Sequence, residues 1–404
     1  MNWKKSMAAA GMAAVLVWPL ADQAQAAAEK KTAALHSERQ LTMTQKELPA
    51  QTPRFVYDSG LKFEYPDAIR GIYVTGHSAG GGKFNDLVHL IDTTDLNAMV
   101  IDIKDDWGNV TYKTEAGSPY ADIGQNFISD PKKMLKTMED KQIYPIARIV
   151  VFKDSTLPKT KPELSFLDGG KVWVNGRGES FVNPFLKEVW DYNVGIAIEA
   201  AKMGFQEIQF DYVRFPEGFE KRDEQLQYHM GEYKDSELDN VQKRVQAVTD
   251  FVAYAREQLK PYGVKVSVDI FGYTATLPEA PGIGQNFTKI SEHVDVISSM
   301  IYPSHWTSYF GIAKPDLEPY KLVREYAKVE KKKLAELKTP PISRPWLQDF
   351  TASYLGSGNY KVYGKTEVEA QIKALYDEGI QEYLLWNAGN KYSPNVDYTP
   401  TGKE

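Results

Sequence analysis

From Ala68 onward, short apolar runs alternate with amphipathic segments in one sustained rhythm that holds to about Asn390. The runs are Gly71–Thr75, Ala98–Ile103, Tyr144–Phe152, Glu207–Asp211, Val264–Ile270, Val294–Ile301, Ile342–Leu347 and Glu382–Trp386. Between them the apolar positions recur at helical spacing over Phe84–Asp92, Pro131–Lys141, Lys187–Met203, Leu238–Leu259, Phe287–His293, Pro319–Lys332 and Glu367–Glu378. Strands that alternate with helices predict parallel β/α architecture. A count of eight predicts a (β/α)8 TIM barrel, spanning residues 68–395. The competing fold is a doubly wound open sheet. The even spacing and the missing Gly-rich phosphate loop after the first strand argue against it. The seventh run contains Pro345, which removes a ladder donor, so a short or bulged strand is expected there.

Side chains alternate along a strand, and a barrel packs its apolar face against the surrounding helices. In the fifth run Val266, Val268 and Ile270 therefore face outward, while Ser267 and Asp269 face inward. The same parity turns Gln209 and Asp211 inward on the fourth strand, and Asp102 and Lys104 inward on the second. Arg148 falls among apolar neighbours of the third strand. An inward arginine needs a partner, and Asp102 or Asp211 is the natural one.

The first residues have a different character. Lys4 and Lys5 precede an apolar stretch from Met7 to Leu20, and Ala24-Gln25-Ala26 fits a signal-peptidase site. The stretch is shorter than the ~20 apolar residues of a membrane span. Residues 1–26 thus read as a cleaved signal peptide, 27–67 as a polar arm and 396–404 as a C-terminal tail. The expected location is extracellular, free or associated with the cell wall, with no membrane span. There is no cysteine, which removes thiolate metal sites and thiol nucleophiles. Six scattered histidines form no ligand pair, so neither a metal nor a cofactor is expected. A net charge of −6 with dispersed basic residues does not suit nucleic acid.

Barrel enzymes place their chemistry at the C-terminal ends of the strands. Asp102, Asp211 and Asp269 lie at such ends, and Asp349 lies just beyond strand seven. Carboxylates around one rim suit glycosidic bond cleavage, which needs a proton donor and a nucleophile or base. Aromatic residues Trp107, Tyr212, Tyr302, Trp306, Trp346 and Trp386 also fall at or just after strand ends, where flat faces can stack on sugars. The long excursion from Lys153 to about Pro184 is placed to wall one side of a cleft. A competing motif is Gly76-His77-Ser78-Ala79-Gly80, which matches the G-x-S-x-G elbow of serine esterases.

Four segments carry a resemblance to a known family. They are Gly71-Ile72-Tyr73-Val74-Thr75-Gly76, Val100-Ile101-Asp102-Ile103-Lys104-Asp105, the run from Gly204 through Asp211-Tyr212-Val213-Arg214-Phe215-Pro216, and Arg344-Pro345-Trp346-Leu347-Gln348-Asp349-Phe350. Together they resemble a bacterial glycosyl hydrolase domain family first catalogued as a domain of unknown function. The resemblance implies a TIM barrel related to α-amylase-like and α-galactosidase-like hydrolases. It also implies a strand-four nucleophile at Asp211, and a strand-five acid at Asp269 where amylase-like enzymes carry Glu. The expected partner is a carbohydrate polymer, cleaved by Asp211 and Asp269. Binding is expected from Asp102, Lys104, Arg148, Arg214, Tyr302, Trp306, Trp346, Gln348, Asp349, Trp386 and Asn387. The alternatives are a barrel that binds glycan without cleaving it, and an esterase built on Ser78.

Overall fold

The computed structural model describes residues 56–400; the expected signal peptide, most of the expected polar arm and the last four residues of the expected tail lie outside the described residues. Eight parallel strands form the core: β1 (Arg70–Val74), β2 (Ala98–Lys104), β3 (Tyr144–Val150), β4 (Glu207–Asp211), β5 (Lys265–Phe271), β6 (Val296–Met300), β7 (Trp346–Gln348) and β8 (Tyr383–Trp386). Each pairs with the next in sequence, and β1 pairs with both β2 and β8. That last pairing closes the sheet into a (β/α)8 barrel and excludes an open doubly wound sheet. The outer ring includes α1 (Gly76–Gly80), α2 (Lys83–Asp92), α3 (Pro131–Asp140), α4 (Lys187–Met203), α5 (Asn240–Leu259), α6 (Phe287–Ser291), α7 (Pro319–Leu334) and α8 (Lys365–Asp377).

Local chemistry sets the helix ends. Asp130 accepts from the Lys133 amide ahead of Pro131 at the first turn of α3, and Asp239 accepts from the Gln242 amide at the start of α5. Asp239 as the cap leaves Leu238 outside the helix. Gly204, at φ +117°, terminates α4 in the left-handed conformation that glycine adopts without strain.

Two apolar layers confirm the strand parity. Ile101, Ile149, Ile208, Phe210, Val266, Val268 and Leu385 belong to the core between strands and helices. Val100, Tyr144, Ile146, Tyr73, Trp346 and Leu384 form a separate cluster inside the barrel. Two irregularities interrupt the pattern. At strand seven, Ile342–Ser343 and Trp346–Gln348 both pair with β6, and the break falls at Arg344-Pro345. On β2 the register slips, so that Asp102 faces Arg148 but Lys104 faces Ile149.

The N-terminal mouth is plugged by ion pairs. Arg344 donates to Glu207 at 2.7 Å and to Glu382 at 2.8 Å, and all three are buried. Tyr65, from the described end of the polar arm, accepts from Arg344 at 3.0 Å and donates to Glu382 at 2.8 Å. The described end of the arm, at Tyr65, therefore packs onto the bottom of the barrel and leaves the opposite mouth for the site.

Candidate active site

The last inward residue of β4 is Asp211. Arg148, inward on the neighbouring β3, donates to its Oδ2 from Nε at 3.0 Å and from Nη2 at 2.6 Å. The other oxygen accepts from the Tyr212 amide at 2.6 Å. Tyr212 itself sits at φ +52°, a conformation that costs a non-glycine residue of order 1 kcal/mol and recurs at functional sites. Arg148 also binds Asp102 at 2.7 Å and Asp106 at 3.1 Å. One buried guanidinium thus ties three carboxylates together, and the Tyr73 hydroxyl adds a 2.5 Å bond to Asp102. Burial pushes the Asp102 carboxyl up to about 6 despite the Arg148 charge beside it. Asp106 goes the other way, drawn down to about 2 by the charges of Arg148 and Lys153 in spite of its desolvation.

Asp269 is one strand away, on β5. Phe210 pairs with Val268, so Asp211 and Asp269 stand level on adjacent strands. The surroundings of the two carboxyls differ sharply. Asp269 is buried, it has no cation in contact among the described residues, and it accepts from Trp346 Nε1 at 2.7 Å. Burial first, and the Asp211 charge second, hold its carboxyl well above the usual carboxylate range. Burial therefore favours the protonated form of Asp269, beside the ion-paired carboxylate of Asp211. Tyr302 lines the same cleft, and burial raises its hydroxyl.

These groups form the floor of an open cleft of about 630 Å³. Arg148, Arg214, Tyr302, Trp306, Trp346 and Trp386 line it with the two acids, so eight of the thirteen residues expected from the sequence meet there. Part of the lining is aromatic, with Phe271 at the end of β5 and Tyr273, Trp306 and Tyr309 from the segments after β5 and β6. Part is charged, with Asp106, Arg177, Arg214 and Glu217. Arg177 comes from the long excursion after β3, which does wall the cleft.

Asp102 stands one layer behind, holding Arg148. Three expected contributors serve the scaffold instead. Gln348 is buried and bridges the Ser304 amide to Asp316, both at 3.0 Å. Asp349 accepts from the Ser393 hydroxyl at 2.6 Å, and Asn387 donates to backbone carbonyls of Asp349 and Lys391. Lys104 is a correction. The register slip on β2 turns it to the helix side, where it pairs with buried Asp154 at 2.8 Å and sits 5.4 Å from the Tyr192 ring centre. A bulge inserts one residue and reverses the facing of those after it.

Sequence reasoning missed Asp106, Arg177, Glu217, Tyr273, His305 and Tyr309. All lie beyond the barrel strands, on loops or, for Tyr273 and His305, in short 3-10 turns, where no periodicity assigns a direction; only their closeness to strand ends could have marked Asp106 and Tyr273. Ser78 lies within α1, capped by Thr75, and its hydroxyl has no histidine partner among the described residues. It does not line the cleft. The described residues also contain no group of three or more His, Asp and Glu side chains set to hold a metal ion.

Residues 71–392 match a family described as "Putative glycosyl hydrolase domain". The chain belongs to this family. No curated protein sequence matches it. Among solved structures, a hypothetical protein from Ruminiclostridium thermocellum is 34% identical, covering 49% of this chain and 96% of its own at a TM-score of 0.41. The PgaB (BpsB) glycoside hydrolase domain from Bordetella bronchiseptica is 15% identical over 80% of this chain and 94% of its own, with a TM-score of 0.54. A beta-galactosidase from the psychrophilic Marinomonas ef1 is 12% identical over 79% and 54% of the two chains, with a TM-score of 0.50. The last two share the fold of this glycosyl hydrolase domain.

Proposed function

We propose that this protein is an exported glycoside hydrolase that cleaves a polysaccharide or cell-wall glycan, with Asp269 as proton donor and Asp211 as nucleophile or base. The observation that carries this reading is the contrast between two level carboxyls on adjacent strands. Burial raises the carboxyl of one; Arg148 holds the other in an ion pair. Glycosidic cleavage needs that division of roles. A sugar seated on the aromatic part of the lining would place its glycosidic oxygen over the floor. Asp269 would protonate that oxygen as the bond breaks, while Asp211 would attack the anomeric carbon or take a proton from water. Tyr302 and Arg148 would orient the pair.

The test is release of reducing ends from a panel of polysaccharides by the wild type, Asp211→Asn and Asp269→Asn. Each substitution is expected to lower the rate roughly 10²–10⁴-fold, the usual contribution of a positioned acid or base. Wild-type rates in Asp211→Asn would sink the assignment. Export is tested separately: the mass of the protein secreted by its own host should begin at Ala27, and an intact Met1 would overturn it.

One observation favours the non-cleaving alternative. Both oxygens of Asp211 already accept hydrogen bonds, and the residue is only 5% exposed. Polysaccharide binding without cleavage across the panel would establish that reading.

A further inference from the structure

The charged part of the cleft lining contains an arginine that the protein does not neutralise as it neutralises the others. Arg148 has carboxylates at 2.6 and 2.7 Å, Arg244 has one at 2.8 Å, and Arg344 has two at 2.7 and 2.8 Å. Arg214 is equally buried, at 5% exposure, yet its one carboxylate is Glu217 at 3.2 Å. That Glu217 side chain is 60% exposed, so water screens the pair and the glutamate is free to swing away. Among the described residues, the guanidinium's remaining hydrogen bond goes to its neighbour's carbonyl, Phe215 O, at 3.2 Å. Five N–H donors thus have two long acceptors between them.

The guanidinium is also held rigid. Its central carbon lies 4.7 Å from the ring centres of both Tyr212 and Phe271. Facing the same cleft is Arg177, whose side chain is 75% exposed and whose contact with Glu179 is 3.6 Å. Glu179 is already taken by Lys153 at 2.8 Å and Asn175 at 2.7 Å. Two guanidinium groups with spare donors therefore line the cleft that also holds the acid pair.

We propose that Arg214 and Arg177 form an anion subsite that selects a glycan carrying carboxylate substituents, such as a uronic acid or a carboxyalkyl ether on the ring. A planar carboxylate matches the fork of a stacked, pre-set arginine, and each charge-assisted bond is stronger than a neutral one. Glu217 serves as the placeholder that the substrate displaces. The proposal takes from the hydrolase reading only that the cleft holds a glycan.

The test is affinity electrophoresis of the full chain through gels containing polygalacturonate, hyaluronan or alginate, each beside its carboxyl-reduced counterpart. Retardation by at least one carboxylated polymer is expected, weakened roughly tenfold or more by carboxyl reduction. Arg177→Gln and Arg214→Gln should each reproduce that loss on the carboxylated polymer, and each should weaken binding of the reduced one by a clearly smaller factor. Arg177 is on an exposed loop, so its variant reports even if Arg214→Gln folds poorly. Equal retention by the carboxylated and reduced forms would overturn the subsite, as would retention by none of the carboxylated polymers. Equal retention by a sulfated polymer of matched charge would overturn the choice of carboxylate. Carboxylate-dependent binding without cleavage would leave the subsite standing and remove the hydrolase.

Discussion

At the scale of single residues, the bond from Trp346 to Asp269 has a consequence that can be measured. An N–H aimed at a carboxyl oxygen stabilises the charged form, so at 2.7 Å it opposes the burial that raises the Asp269 carboxyl. Trp346→Phe removes the donor and keeps an aromatic ring in the barrel. Asp269 should then stay protonated to higher pH. A hydrogen bond to a charged group contributes about 1.5–3 kcal/mol, so the basic limb of kcat/KM should move up by roughly one pH unit or more. A limb that moves down would show that another group is the acid. The same residue shows how far sequence reasoning reached. The period of two aimed Asp211, Asp269 and Arg148 into the barrel, because a strand allows a side chain only two directions. The hydrogen bond from Trp346, and the burial that raises the Asp269 carboxyl against it, depended on rotamers and packing across three strands.

At the scale of elements, the slip on β2 explains both an error and a wall. Counting by twos from Asp102 turns Lys104 inward; the bulge, which leaves no mark in composition, turns it outward to Asp154. Asp154 in turn accepts from the amides of Thr156 and Leu157, both at 2.8 Å, and so fixes the start of the excursion that carries Arg177 to the cleft. Pro345, by contrast, announced the irregularity of strand seven, because a missing N–H is legible in the chain itself. Both side chains of the Lys104–Asp154 pair are fully buried, so removing one partner strands a charge. Lys104→Met should cost ~3–5 kcal/mol in urea unfolding. Lys104→Met with Asp154→Leu should cost less than the two single changes together, since no unpaired charge remains. Additive losses would mean that the pair acts independently of its charges.

At the scale of the whole molecule, the cluster around Arg148 couples stability to pH in two separate windows. Asp106, drawn down to about 2 from 3.8, stabilises the fold above 3.8, and that contribution is lost as pH falls towards 2. Asp102 has the opposite sign. Its carboxyl titrates near 6 in the folded protein against 3.8 in the unfolded chain, so between those values the native state holds the extra proton. Its contribution is complete below 3.8 and lost as pH rises through about 6; the gap corresponds to roughly 3 kcal/mol. Deeply buried Asp269, with its carboxyl also raised, adds to the same trend. Most proteins gain stability as acid is neutralised, because their carboxylates are held charged. Here burial raises the carboxyls of Asp102 and Asp269, and the unfolded chain relinquishes their protons first. Urea midpoints measured from pH 4 to pH 6.5 should therefore fall for the wild type, and fall less for Asp102→Asn, which cannot titrate. Parallel curves for the two proteins would mean that Asp102 is charged throughout, and that Arg148 answers to three carboxylates at once.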